Sequence, residues 1–369
     1  MRTSAVEAAL AAWASALAER DLVAAEDAAP ASDPDRWAAL VEVVRTADIR
    51  DVSVVSAGGP RRGEDGTWAV AAQVGWRFAG FDAGPSLATV DLMLEPADGG
   101  GLAVAAARPA SGRFPGWLSE GVVVRRTPRT LVLAPDAGTA TLVSTQAERA
   151  VDTVRVTLPA WRGRLIVQVP ATPDALAEAV DAPGALTAAA LTTPPDEVRA
   201  PAARAHVFVN LEVYAGLDRR EQGIVLAHEA THVATGAPTA AGPLWVIEGF
   251  ADFVALRNTG LPDQVVARPV VLAVRRDGVP RALPGDAEFS SVRQEVAYGE
   301  SWQACREIVE SAGPRALVGF QERVAAGDPV NLAMREEVGV GGVGLLRRWQ
   351  DRLRDLARAG EQRGRAASG

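Results

Sequence analysis

The sequence predicts an α+β protein in two parts: an N-terminal pair of helices followed by a curved antiparallel sheet, then a mainly helical domain with a small sheet. Three observations carry this prediction. Apolar residues recur at helical spacing over 4–19 and 35–47, the period changes to two across 51–57, 67–78, 86–95 and 102–108, and beyond 218 the chain reads almost wholly helical. With 369 residues, 48% of them hydrophobic, the chain can bury a substantial core. At roughly 100–200 residues per domain it holds two domains, expected at 1–133 and 134–369.

Each element has a local reason. Ser32-Asp33-Pro34-Asp35 starts the second helix, with Asp33 as its N-cap and Pro34 in the first helical position. The alternating segments are separated by GGPRRGEDG, AGFDAG and ADGGG, which are turn-forming clusters. Residues 112–135 are transitional, with Trp117 and short apolar runs at 122–124 and 130–133. A helix over 139–153 opens the second part, a strand at 164–169 precedes a helix at 173–180, and a strand at 205–209 ends at Asn210. The last helix places Leu345, Leu346, Trp349, Leu353 and Leu356 on one packing face, and the tail 361–369 is expected to be disordered.

Composition excludes much chemistry. All 38 basic residues are arginine, so Schiff-base lysines, P-loop lysines and the kinase-type strand lysine are ruled out. A net charge of −8 with scattered arginines argues against nucleic acid as a partner. The single cysteine, Cys305, forms no intrachain disulfide, and in mid-helix without a histidine to activate it the residue reads as buried and inert. Glu7 and Glu19 interrupt the first twenty residues, which read as an amphipathic helix rather than a signal peptide, and no stretch reaches the ~20 apolar residues of a membrane span. The compartment is expected to be cytoplasmic if Met1 is the native start, and cell-envelope or secreted if a leader or anchor was removed. Gly339, Gly341 and Gly344 spell G-x-G-x-x-G. They follow a helical segment rather than a strand, so they read as a junction before the last helix.

The chemistry concentrates in Leu217-Asp-Arg-Arg-Glu-Gln-Gly-Ile-Val-Leu-Ala-His-Glu-Ala-Thr-His232, which contains H-E-x-x-H as His228, Glu229 and His232. Asp218 and Glu221 resemble a capping box and Gly236 a stop, which predicts a helix over 219–235. Residues four apart share one helix face, so both imidazoles reach a single ion. Glu229 is offset beside it, as a general base for a metal-activated water must be. With three histidines in the chain, random placement gives this pattern about once in a thousand such chains. The competing reading is a helix with two incidental histidines.

Catalytic zinc needs a third protein ligand and an open position. A metzincin histidine is excluded, because Thr235 and Pro238 fill the Gly and His places of that pattern. The remaining histidine, His206, on an alternating strand, reads as structural or substrate-facing. A carboxylate is therefore expected. The next helix, 244–254, offers Glu248 and Asp252 four apart on an otherwise apolar segment, where burial is costly unless the charges are paired or bind metal. Glu248 as ligand, with Asp252 accepting a ring N–H from one of the histidines, satisfies both. The alternative is a solvated Glu–Asp face. Gly249 permits close approach of a neighbouring helix.

H-E-x-x-H followed by W-x-x-E-G-x-A-[DE] resembles the gluzincin metallopeptidases of the peptidase MA clan, and most closely the peptidase MA-like domains common in actinobacteria. The resemblance covers about 140–325, through His228-Glu-Ala-Thr-His232, Glu248-Gly-Phe-Ala-Asp252 and Ala297-Tyr-Gly-Glu-Ser-Trp302. It implies Zn2+ held by His228, His232 and Glu248, Glu229 as general base, and peptide or protein substrates. It also implies that strand 205–210 is the sheet edge along which a peptide lies. Tyr298 occupies the place of the family's tyrosine and is the expected oxyanion donor, with Tyr214 as fallback. The G-x-M-E-N element of aminopeptidase N-like enzymes is absent, and Val207-Phe-Val-Asn-Leu-Glu212 stands there instead, which argues against exopeptidase action. Over 1–110 the element order, with phrases such as Val74-Gly-Trp-Arg-Phe-Ala-Gly-Phe-Asp82, resembles the cystatin-like fold of the nuclear transport factor 2-like superfamily. The expected function is zinc-dependent hydrolysis of peptide bonds. The alternative is a zinc-stabilised, non-catalytic scaffold that uses the cystatin-like domain to bind a ligand or partner.

Overall fold

The change of period from helical to alternating is realised in a mixed α+β chain. The structure, a computed structural model, describes residues 2–23, 29–30, 32–62, 67–97, 101–181, 187–196 and 205–366. By contacts the chain divides into two units, Met1–Glu148 with Arg164–Gln222 and Arg149–Gly163 with Gly223–Gly369.

In the first unit, α1 (Arg2–Glu19) and α2 (Pro34–Thr46) precede five strands. Asp33 caps α2 as expected, its side chain accepting from Arg36 N at 3.2 Å. The strands β1 (Ile49–Ser56), β2 (Arg61–Arg62), β3 (Trp68–Phe78), β4 (Ser86–Pro96) and β5 (Leu102–Ser111) form an antiparallel sheet in the order β1-β3-β4-β5, with β2 beside β3. Alternation sets the buried face of β4: Ser86, Ala88, Val90, Leu92 and Leu94 point inward. Register shifts bend the sheet in β1 between Arg50 and Ser53, and in the β4–β5 pairing between Thr89 and Val90 and between Met93 and Leu94. Helix α1 lies against β1 and β5, and Trp13 meets Trp37 edge-on at 6.0 Å. The Trp37 indole N–H donates to Val104 O at 2.8 Å, so its burial leaves no polar atom unpaired.

The same unit holds a second sheet. Its elements are β6 (Val123–Arg126), β7 (Thr130–Ala134), α3 (Ala137–Thr157), β8 (Leu165–Gln168), α4 (Pro173–Val180), β9 (Ala190–Thr193) and β10 (His206–Val209), and the strand order is β6-β7-β8-β10-β9. Strands β7, β8 and β10 are parallel; β6 and β9 are antiparallel and form the two edges. Adjacent parallel strands require a long crossover, which α3 supplies between β7 and β8. Every residue of β7, β8 and β10 is buried, as continuous apolar runs in parallel strands predict. Two expectations change. The boundary expected at 133/134 falls at the end of β7, inside this sheet, and the contact division falls instead within α3 and within the helix Arg219–Thr235. The strand at 205–210 is not an edge, because β9 pairs along its outer side from His206 to Val209. Four residues, Ala-Leu-Thr-Thr, are too short for periodicity to reveal β9.

From 211 onward the described residues are helical or irregular: α5 (Leu211–Ala215), α6 (Arg219–Thr235), α7 (Leu244–Leu256), α8 (Asp263–Val266), α9 (Arg268–Asp277), α10 (Gln294–Ala312), α11 (Pro314–Ala325), α12 (Val330–Ala333) and α13 (Gly342–Ala366). The second unit's core includes Phe250, Val254, Trp302, Cys305, Leu317, Phe320 and Trp349, and Trp245 stacks on Phe320 at 5.9 Å. Gly339 adopts φ +75° and ends a π-helical turn at Met334–Val338, which accounts for the first glycine of G-x-G-x-x-G in purely conformational terms. Helix α13 continues to Ala366 where disorder was expected; 367–369 lie outside the described residues. Among the described residues no helix is long and apolar enough to cross a membrane.

Candidate metal centre

Helix α6 starts on the reciprocal bonds its sequence calls for. Asp218 Oδ1 accepts from Arg220 N (2.7 Å) and Glu221 N (2.9 Å), and Glu221 Oε2 accepts from Asp218 N (2.8 Å). Gly236, at φ +69°, ends it. Helix α7 then packs against α10 at Gly249, where a Cβ would stand 2.6 Å from Ser301 O. Because that neighbour is backbone, no rotamer change could relieve the collision.

Four of the predicted residues come together. His228 Nε2, His232 Nε2 and Glu248 Oε2 are separated by 2.9, 3.1 and 3.3 Å, nearly an equilateral triangle. His228 Nδ1 lies 2.9 Å from Asp252 Oδ1. A carboxylate accepts only, so this bond places a proton on Nδ1 of the neutral ring and leaves the Nε2 lone pair facing the triangle. Two imidazole nitrogens and a carboxylate oxygen converging in this way repel one another unless a cation or a proton lies between them.

The donor set fits zinc. Two nitrogens and one oxygen at ~2.0–2.1 Å from a tetrahedral ion are separated by about 3.3–3.4 Å, close to the edges observed. The residual mismatch lies in the shortest edge, between the two histidines. His232 Nδ1 is buried with no hydrogen-bond partner among the described residues, so only the first histidine has a carboxylate to orient it. Burial pushes the His228 pKa down, but the carboxylates of Asp252 and Glu248 outweigh it and hold it well above the usual histidine range. For Glu248 burial raises the pKa, while bonds to His228 and His232 hold it far below the ordinary carboxylate value. Both shifts reflect acid–base pairing inside a triangle that a cation would otherwise neutralise.

The remaining candidates sort by position. Glu229 is buried, one step round α6 from His228. The Tyr298 ring centroid is 6.1 Å from that of His228, and the ring meets Phe289 edge-on at 5.3 Å. Burial first, then the charges of Glu248, Asp252 and Glu229, hold its phenol protonated. Tyr214 is wholly buried and donates to Gln222 O at 3.3 Å within its own segment. His206 is also wholly buried, in β10, and bonds Asp82 and Gln168. Neither Tyr214 nor His206 belongs to the His228–His232–Glu248 cluster. Burial raises the Cys305 thiol pKa, so the thiol is not a nucleophile.

Asp252 gives a direct test of the orienting bond. Asp252→Ala leaves the three ligand atoms in place and removes the acceptor for His228 Nδ1. Zinc affinity, measured by competition with a chromogenic chelator, is expected to fall about 10- to 100-fold. Undiminished affinity would remove Asp252 from the site.

Helix α10 carries one further titrating group. Glu300 is 2% exposed, and burial pushes its pKa up to about 7 despite Arg293 Nη2 at 3.3 Å from Oε1. The unfolded carboxyl ionises near 4.5, so between that pH and 7 the folded state binds the extra proton and stability falls as pH rises. Glu300→Gln is expected to leave stability near pH 4.5 unchanged and to raise it by roughly 2–3 kcal/mol above pH 7.5, read from urea denaturation at the two pH values.

The chain matches no family model and no curated protein.

Proposed function

We propose that the chain is a zinc-dependent metallopeptidase of gluzincin type, with a peptidase MA-like domain preceded by a cystatin-like domain of the nuclear transport factor 2-like superfamily. The observation that carries this reading is the triangle of His228 Nε2, His232 Nε2 and Glu248 Oε2, with a buried carboxylate, Glu229, adjacent in sequence to one of its ligands. His228, His232 and Glu248 hold the ion, and Asp252 fixes the His228 tautomer. Bound zinc supplies Lewis acidity, polarising the scissile carbonyl and bringing water within reach of deprotonation at neutral pH. Glu229 removes the proton of the attacking water and delivers it to the leaving nitrogen. Tyr298, kept neutral, donates a hydrogen bond to the oxyanion that develops on the carbonyl oxygen.

Metal analysis of full-length protein purified without chelator, combined with a peptide-library cleavage assay, tests the proposal. One zinc per chain is expected, with cleavage that a chelator abolishes. Absence of stoichiometric zinc overturns the proposal, and stoichiometric zinc without cleavage favours the non-catalytic scaffold.

A further inference from the structure

Arginines that lie scattered in the sequence are gathered by the fold of the first unit. Arg20, Arg50, Arg126 and Arg164 cluster about a single carboxylate, Asp48, where α1 and α2 end and the turn between β3 and β4 passes. Asp48 Oδ1 accepts from Arg20 Nη2 at 2.7 Å and from Arg50 Nε at 2.8 Å, and its Oδ2 lies 3.8 Å from Arg126 Nη2. The nearby carboxylates are committed elsewhere. Asp51 Oδ2 accepts from Arg77 Nε at 2.5 Å, and Asp82 turns inward to Phe78 N and His206. One negative charge therefore stands against four positive ones, in a chain whose net charge is −8.

Two of these guanidiniums converge. Arg126, at the end of β6, donates from Nη1 to Ala47 O and from Nη2 to Ala79 O, both at 2.7 Å, and its guanidinium carbon stands 4.9 Å from the Phe81 ring centroid. Carbonyl partners orient a guanidinium without cancelling its charge, and the five-donor fork has N–H groups to spare. Arg164, just before β8, is exposed and has neither a carboxylate nor a carbonyl partner among the described residues. Both reach one point of the turn: a Cβ at Gly80 would lie 3.4 Å from Arg164 Nη1 and 3.7 Å from Arg126 Nη2. Nitrogens that near a common point can each bond an oxygen of one tetrahedral anion. Gly80 is exposed at φ +79°, and without a side chain there the approach to both is open. Like charges so placed repel. Burial first, and then the charges of Arg164 and Arg20 against the attraction of Asp48, hold the Arg126 pKa below the ordinary arginine value. An anion between the two guanidiniums relieves that repulsion.

We propose that Arg126 and Arg164 bind a phosphate group, either as inorganic phosphate or on a small phosphate monoester. The planar fork of arginine matches phosphate oxygens, and a dianion answers an excess of more than one positive charge. The site lies in the first unit and shares no residue with the metal centre. Titration calorimetry of the full-length protein at fixed ionic strength is expected to show one saturable site for inorganic phosphate, which persists after zinc is chelated. Phenyl phosphate carries the same group on an organic stem: tighter binding than inorganic phosphate assigns the site to monoesters, and equal or weaker binding assigns it to free phosphate. Arg164→Gln, at an exposed position with no partner to lose, is expected to weaken phosphate binding about 10-fold, the contribution of one charged hydrogen bond. Arg108→Gln removes the same charge from an exposed position on β5, at the opposite edge of the first sheet from β1. It is expected to change affinity by less than about twofold, because distant surface charges are screened at physiological salt. Absence of saturable phosphate binding, loss of binding on chelation, or an equal loss in the two variants would overturn the proposal.

Discussion

Glu229→Gln is expected to reduce kcat for peptide hydrolysis by about 10²- to 10⁴-fold, the usual contribution of a positioned general base, while the protein retains one zinc per chain. The substitution keeps shape and burial and removes only basicity. Glu229 is not among the three atoms that form the ligand triangle, so metal content and activity are expected to separate. The residual rate would come from the metal ligands and from Tyr298, which the change leaves in place. Cleavage at the wild-type rate would exclude Glu229 as the base. Loss of zinc together with activity would mean that the side chain supports the metal centre rather than the proton transfer.

What was legible in the sequence was local. The Asp218/Glu221 cap, the i,i+4 pairing of His228 with His232 and that of Glu248 with Asp252 each involve residues within about one helical turn, and their geometry follows from helix periodicity alone. The bond from Asp252 to His228 crosses between helices and was still foreseeable, because an acidic pair on an apolar helix needs partners and few candidates existed.

What was not legible depended on pairings distant in sequence. Periodicity shows that 130–133 and 164–169 are strands; it does not show that they lie side by side and parallel, which is why a boundary was expected at the end of β7. His206 reads as a lone histidine until the fold brings Asp82, 124 positions earlier, to its Nε2.

Glu248→Ala should have the other large effect, and on a different quantity. Losing a ligand removes more than losing an orienting contact does, so zinc affinity is expected to fall by well over 100-fold, beyond the range expected for Asp252→Ala. The two histidines remain 2.9 Å apart with no carboxylate between them and an ion, an arrangement that holds metal weakly. Stability makes the loss measurable independently of catalysis, because a ligand that binds only the folded state stabilises it by about 4 kcal/mol at a thousandfold excess over Kd. Wild-type protein should therefore melt several degrees higher with zinc than after chelation, by the ~2–4 °C per kcal/mol of a unit this size. The Glu248→Ala melting temperature should respond far less than the wild type's at the same zinc concentration, because the weakened site is then little occupied. A variant that still gains several degrees from zinc would show that the ion is held without Glu248, and the assignment of the third ligand would fail while the pair on α6 stood.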